Sequence, residues 1–214
     1  MEPHGGLPVL SAGAPLEGAP CVLVMVHGRN AAPANILDLL PRIARPQVAA
    51  LAPTAGGRTW YPLSFMAPRE QNEPGISSGL AAIESIVSGL LSRGVASRRI
   101  ALLGFSQGAC LTSEFVLHHP RRYGGVLVLT GGLIGAPGTT WPDPLGRLDG
   151  TPVFLGTADP DAHVPLSRVI ETHAVFERMG AAVTRRVYPG MGHLVNDEEI
   201  GFVQSVLDGI LASA

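Results

Sequence analysis

The sequence predicts an α/β protein on a mostly parallel sheet, and three observations carry that prediction. Short runs of Val, Leu and Ile alternate with stretches of helical spacing along the 214-residue chain. The runs are continuously apolar and do not alternate with polar residues, which suits parallel strands covered by helices on both faces. One run, Ile100-Ala101-Leu102-Leu103, leads into Gly104-Phe105-Ser106-Gln107-Gly108 and then into the helix-like Ala109 to Leu117. A strand, a tight turn and a helix thus follow one another, and such alternation puts the ligand site at the carboxyl ends of the strands.

The elements follow in order. Strands are expected at Cys21 to Val26, Gln47 to Leu51, Ile100 to Phe105, Val126 to Leu129, Pro152 to Leu155 and Val183 to Tyr188. Ile76, Leu80, Ile83, Ile86 or Val87, and Leu90 recur every three to four residues until Gly94, which marks a long amphipathic helix. Further helices are expected at Ala34 to Ala44, Gln107 to His118, Leu166 to Met179 and Glu198 to Leu211. Segments 52–75 and 131–150 are rich in Pro and Gly and carry Trp60, Tyr61, Phe65 and Trp141, so they read as loops over the site. Trp60 and Tyr61 are the expected substrate-binding rings, with Trp141 beside them. No stretch offers a large helical cap, so a minimal lid and one domain over residues 1–214 are expected.

Composition removes several function classes. With 46% hydrophobic and 15% charged residues the chain is globular, and its net charge of −2 attracts neither nucleic acid nor an anionic membrane. All 15 basic residues are arginine, so a Schiff-base lysine, a pyridoxal phosphate site and a P-loop lysine are excluded. Cys21 and Cys110 fall in an expected strand and helix and read as small buried hydrophobes without a disulfide. The N-terminal Met1-Glu2-Pro3-His4-Gly5-Gly6 carries no leader pattern, and no uninterrupted apolar stretch approaches the ~18 residues of a membrane span. The expectation is a cytoplasmic protein with a small-molecule partner and no stable membrane insertion. Its oligomeric state is open, a homodimer included.

Gly-x-Ser-x-Gly at a strand-to-helix turn lifts a serine hydroxyl above the sheet, and the glycines remove side chains that would clash there. A serine hydroxyl is a poor nucleophile until a histidine takes its proton, and that histidine needs a carboxylate to fix its tautomer. Of the seven histidines, His4 reads as part of a loose terminus, His27 precedes the serine, His118 and His119 end the elbow helix, and His173 sits mid-helix. His193 lies in the glycine loop Pro189-Gly190-Met191-Gly192-His193 just past the last strand, and is the candidate base. Asp159 and Asp161 both follow the preceding strand and give the chain order Ser, Asp, His. Asp159, Asp161 and His163 also have the ligand types of a metal site, but no second cluster completes a shell. The oxyanion of a tetrahedral intermediate would take the backbone N–H of Gln107, after the serine, and of Arg29, in the loop after the first core strand. The Arg29 guanidinium reads as solvated, or as a partner for an anionic substrate.

Val26-His27-Gly28, Gly104-Phe105-Ser106-Gln107-Gly108, Asp161-x-x-Val164-Pro165 and Gly192-His193 together resemble the phospholipase/carboxylesterase family of α/β-hydrolases, which includes acyl-protein thioesterase-like enzymes. The resemblance spans about residues 20 to 212. It implies an α/β-hydrolase fold and a serine carboxylesterase working without a metal or other cofactor on short-to-medium acyl or aryl esters. An acyl thioesterase or a dienelactone-hydrolase-like lactonase is the alternative, although the latter type uses cysteine where this chain has Ser106. A non-catalytic binding protein on the same fold is a further reading. Leu155-Gly156 stands where the family has His-Gly, and the acid loop is two residues longer. Asp161 keeps the family's spacing to Val-Pro, which begins the next helix and should anchor the carboxylate, so Asp161 is chosen over Asp159.

Overall fold

The computed structural model describes residues 2–43, 45–141 and 147–213. Seven strands form one sheet in the order β1-β3-β2-β4-β5-β6-β7. They are β1 (Val9–Gly13), β2 (Cys21–Val26), β3 (Val48–Pro53), β4 (Ile100–Phe105), β5 (Gly125–Leu129), β6 (Pro152–Asp159) and β7 (Ala182–Pro189). Only β1, an edge strand absent from the expectations above, runs antiparallel to its neighbour; the other pairs are parallel. The chain order reverses beside β2 and β4, so the loops at their carboxyl ends diverge and leave a crevice between them.

Alternate residues of the central strands enter two apolar layers. Val22, Val24, Ile100, Leu102, Val126 and Val128 meet α3 (Gly75–Ser92), α4 (Gln107–His118) and α5 (Leu166–Arg178) on one face. Leu23, Met25, Ala101, Leu103, Leu127 and Leu129 meet α1 (Pro33–Leu37), α2 (Leu40–Ile43) and α6 (Asp197–Ala212) on the other. Full burial of such a side chain is worth about 1.5–3 kcal/mol, so both faces are strongly held. By length and composition α3 is apolar enough to cross a membrane, but half of it is buried, with Ile76, Ile83, Val87 and Leu90 in the core.

Several expectations change in detail. The single helix over Ala34 to Ala44 divides into α1 and α2, because Pro41 has no N–H to continue a helical ladder from the preceding turn; Ala44 lies outside the described residues. Strand β6 runs four residues further than expected, carried by pairing with β7 from Pro152 through Asp159. His4 is not in a loose terminus. It is buried, its N–H donates to Ser78 Oγ at 2.9 Å, and its ring lies between Gly56 N and Trp60 O at 3.0 and 2.9 Å.

Candidate active site

Ser106 stands between β4 and α4 with φ 54° and ψ −120°, a backbone conformation that L side chains rarely adopt. Two bonds hold the turn there: Ser106 N–H donates to Leu129 O on β5 at 3.0 Å, and Cys110 N–H donates to Ser106 O at 3.0 Å. The flanking glycines are required by space. A Cβ at Gly108 would lie 2.2 Å from Val26 O, and one at Gly104 would lie 2.4 Å from Gly108 O. Helix α4 therefore packs directly on the end of β2 and aims the serine at the crevice.

His193 follows β7 and reaches Ser106, and Asp161 follows β6 and reaches His193. His193 Nε2 lies 2.8 Å from Ser106 Oγ, and His193 Nδ1 lies 2.9 Å from Asp161 Oδ2. A carboxylate only accepts, so the ring proton sits on Nδ1 and Nε2 is free to accept the serine proton. Asp161 Oδ1 takes the backbone N–H of His163 at 2.7 Å and of Val164 at 2.8 Å. Burial would raise the Asp161 pKa, but these two amides and the His193 ring outweigh it and hold the carboxyl below its usual value. Val164 and Pro165 lead into α5, which is how the loop fixes the carboxylate. Asp159 ends β6 and accepts Gly190 N–H through its carbonyl at 3.1 Å, bracing the turn that carries His193. Among the described residues, no three His, Cys, Asp or Glu side chains are grouped to hold a metal ion.

Two backbone amides beside the serine lack a protein acceptor among the described residues. Asn30 N–H and Ala31 N–H are taken by Arg58 O and Gly28 O, whereas Arg29 N–H has no protein acceptor among the described residues. Gln107 N–H is the first amide of α4 and has no intrahelical acceptor. Gly28 draws the two segments together: a Cβ there would lie 3.4 Å from Ser106 Cβ.

The cleft above Ser106 has a volume of about 650 Å³ and is walled by Tyr61, Leu63, Phe65, Ile36 and Phe105. Trp60 is not among its lining residues and is fully buried, which corrects the expectation that it binds substrate. Its indole Nε1–H donates to His27 O at 2.8 Å and its ring packs on His27 and His4, so it is a pillar beneath the site. Trp141 also lies away from the cleft, with its ring 5.0 Å from the Arg168 guanidinium; of its segment, residues 142–146 lie outside the described residues. Tyr61 does line the cleft. The Arg29 guanidinium is not solvated freely: it donates to Pro62 O at 2.7 Å and to Leu63 O.

Three positioning residues escaped the sequence reading. The Gln107 side chain accepts Trp60 N–H at 2.9 Å and donates to Tyr61 O at 2.8 Å, pinning the aromatic loop to the elbow. Arg168, buried in α5, donates to Leu133 O and Gly135 O at 2.8 Å. Glu114, buried in α4, pairs with Arg69 and accepts Ile134 N–H at 3.3 Å, so one carboxylate ties both loops to the elbow helix. For Gln107 the available signal was its place beside the serine. For the other two, a charge on the inner stripe of an apolar helix was the only one.

His27 and Cys110 also line the cleft but are spent. Burial lowers the His27 pKa, and its ring bonds to Gly28 O and Ala55 N–H fix a neutral tautomer. Burial pushes the Cys110 thiol up to about 12, so it is no nucleophile.

A serine on a strand-to-helix elbow, at the carboxyl edge of a mostly parallel sheet and bonded to a histidine that is bonded in turn to an aspartate, both from loops after later strands, defines the α/β-hydrolase class. The sequence model of the phospholipase/carboxylesterase family matches residues 45–211, and the chain belongs to that family. It is 40% identical to a phospholipase/carboxylesterase of Dyadobacter fermentans whose crystal structure superposes with a TM-score of 0.92, covering 97% of this chain and 98% of the other. It is 28% identical over 142 residues to acyl-protein thioesterase 1 of Gibberella zeae, covering 65% of this chain and 60% of that protein. A probable carboxylesterase of Oryza sativa is 27% identical, with 67% and 53% covered. The chain thus matches over little more than half the length of these curated relatives.

Proposed function

We propose that the chain is a serine carboxylesterase that hydrolyses short-to-medium acyl and aryl esters through an acyl-enzyme. The observation that carries this reading is the unbroken line from Ser106 Oγ to His193 Nε2 at 2.8 Å and from His193 Nδ1 to Asp161 Oδ2 at 2.9 Å. In this mechanism His193 Nε2 takes the proton of Ser106 Oγ as the oxygen bonds to the acyl carbon. The carbonyl electron pair moves onto oxygen, and Arg29 N–H and Gln107 N–H donate to that oxyanion. The intermediate collapses, His193 returns the proton to the departing alcohol, and Ser106 keeps the acyl group. Water then repeats the sequence, giving the acid and restoring the serine. Asp161 stabilises the imidazolium formed in each half.

The wall of Tyr61, Leu63, Phe65 and Ile36 supports a modest apolar acyl or aryl group. The thioesterase reading keeps a specific support in the relatives named acyl-protein thioesterase 1, and the same machinery serves either acyl donor. The test is turnover of 4-nitrophenyl acetate through decanoate by the protein and by Ser106→Ala. The variant should keep the fold by circular dichroism and lose turnover by several orders of magnitude. Retained turnover in a folded variant would remove Ser106 from the reaction.

A further inference from the structure

The cleft is lined by polar donors. Among the described residues at its wall are Arg29, Asn35, Ser64, His163 and His193, and neither an aspartate nor a glutamate. The acid behind His193 is turned away: the Asp161 side chain is fully buried and its oxygens are spent on His163, Val164 and His193. Among the described residues, no carboxylate therefore meets a ligand in this space.

Arg29 stands in that space with no carboxylate partner among the described residues. It follows Gly28, which packs against Ser106, and it lines the same cleft as the serine. The residue is exposed and forms no ion pair among the described residues, yet its position is fixed by the carbonyls of Pro62 and Leu63 and by the Tyr61 ring, 5.9 Å from Cζ. A guanidinium has five N–H donors, so those two carbonyls leave donors unused. The ordering cost of the side chain is already met, and a carboxylate arriving there would gain a charge-assisted bond. Two further donors face the same cleft. Asn35 Oδ1 accepts Ala32 N–H at 2.8 Å, which leaves its Nδ2 available. The exposed His163 ring stands edge-on 4.8 Å from His193, with no protein partner for its nitrogens among the described residues.

We propose that this cleft selects esters that carry a carboxylate elsewhere in the molecule, with Arg29 as the specificity-determining residue that receives it. This deepens the esterase reading and rests on it.

The experiment compares charged and neutral partners of nearly equal shape. 4-Nitrophenyl hydrogen adipate against its methyl ester places the charge on the acyl side, and 4-acetoxybenzoate against its methyl ester places it on the leaving group, each corrected for uncatalysed hydrolysis. In one pair the carboxylate form should have a kcat/KM about ten-fold higher, as one hydrogen bond to a charged group provides. That preference should shrink as salt is raised. Arg29→Met should bring the ratio to about one, and Arg29→Lys should keep part of it; each ratio is internal to its variant and does not depend on overall activity. A ratio at or below one in both pairs for the unmodified protein overturns the proposal, as does a preference that survives Arg29→Met. Absence of turnover on all four esters overturns the esterase reading itself, and this inference with it.

Discussion

Asp161 accepts the Nδ1 proton of His193 at 2.9 Å with one carboxylate oxygen, while its other oxygen receives the amides of His163 and Val164. Asp159, two residues earlier, contributes only a carbonyl to the Gly190 amide. The two acids are therefore separable. Asp161→Asn should lower turnover by about 10⁴-fold, because an amide in place of the carboxylate favours the wrong histidine tautomer. Asp159→Asn should be mild. Steady-state kinetics on one ester decides the ranking, and the reverse order would reassign the acid.

The Gln107 side chain is the link between the elbow and the aromatic loop. Gln107→Ala keeps the backbone amide proposed for the oxyanion but leaves the buried Trp60 N–H without its side-chain partner, at about 1–3 kcal/mol, and leaves the Tyr61 carbonyl only the Thr59 hydroxyl. Thermal unfolding should show the loss, and KM should rise as the Tyr61 wall loosens. An unchanged melting temperature would mean that the loop is held by other contacts.

Trp60→Ala should act on stability and much less on substrate binding. The ring is fully buried against His4 and His27, so its removal leaves a cavity worth about 3–5 kcal/mol. In a chain of this size that lowers the melting temperature by about ten degrees. A large KM change with unaltered stability would return the residue to the pocket wall.

What was legible in the sequence was whatever periodicity and a sharp turn encode. Strands β2 and β4 and helix α4 have the expected bounds, because fully buried parallel strands are continuous Val and Leu runs and the elbow ends each side abruptly. Strand β1 was hidden because Val9-Leu10-Ser11-Ala12-Gly13 is exposed at an edge and held by its backbone ladder to β3, which leaves little apolar pattern. Trp60 was misplaced for a related reason: a loop has no period to say which side a ring faces, and its neighbours His4 and His27 are 56 and 33 residues away. The buried charges of Arg168 and Glu114 are invisible to any rule that puts charge outside, since beyond Glu171 and His118 on their own helices their partners are loop backbone and the distant Arg69.

Glu199 should give stability a pH dependence of its own. Buried at the start of α6, where it shares a capping box with Asn196, its carboxyl is pushed up to about 7; burial is the main cause, opposed by the Asn196 amide and aided by Glu198. A raised folded-state pKa contributes stability that is fully present below the unfolded value near 4.5 and is lost as pH rises through 7. Asp161 has the opposite sign: its depressed pKa contributes stability at neutral pH that is lost in acid. Glu199→Gln should keep the cap and flatten the decline between pH 5 and 8 in urea unfolding curves. An unchanged slope would show that the carboxyl is already ionised below that range.

Ser106, bonded to His193 at 2.8 Å, is the proposed nucleophile. Stoichiometric reaction with a fluorophosphonate, followed by intact-mass and peptide mass spectrometry, tests this assignment most directly. One adduct per chain is expected, located on Ser106, with esterase turnover falling in proportion to labelling and no adduct on Ser106→Ala. Labelling of another residue, or full turnover in the fully labelled protein, would contradict it.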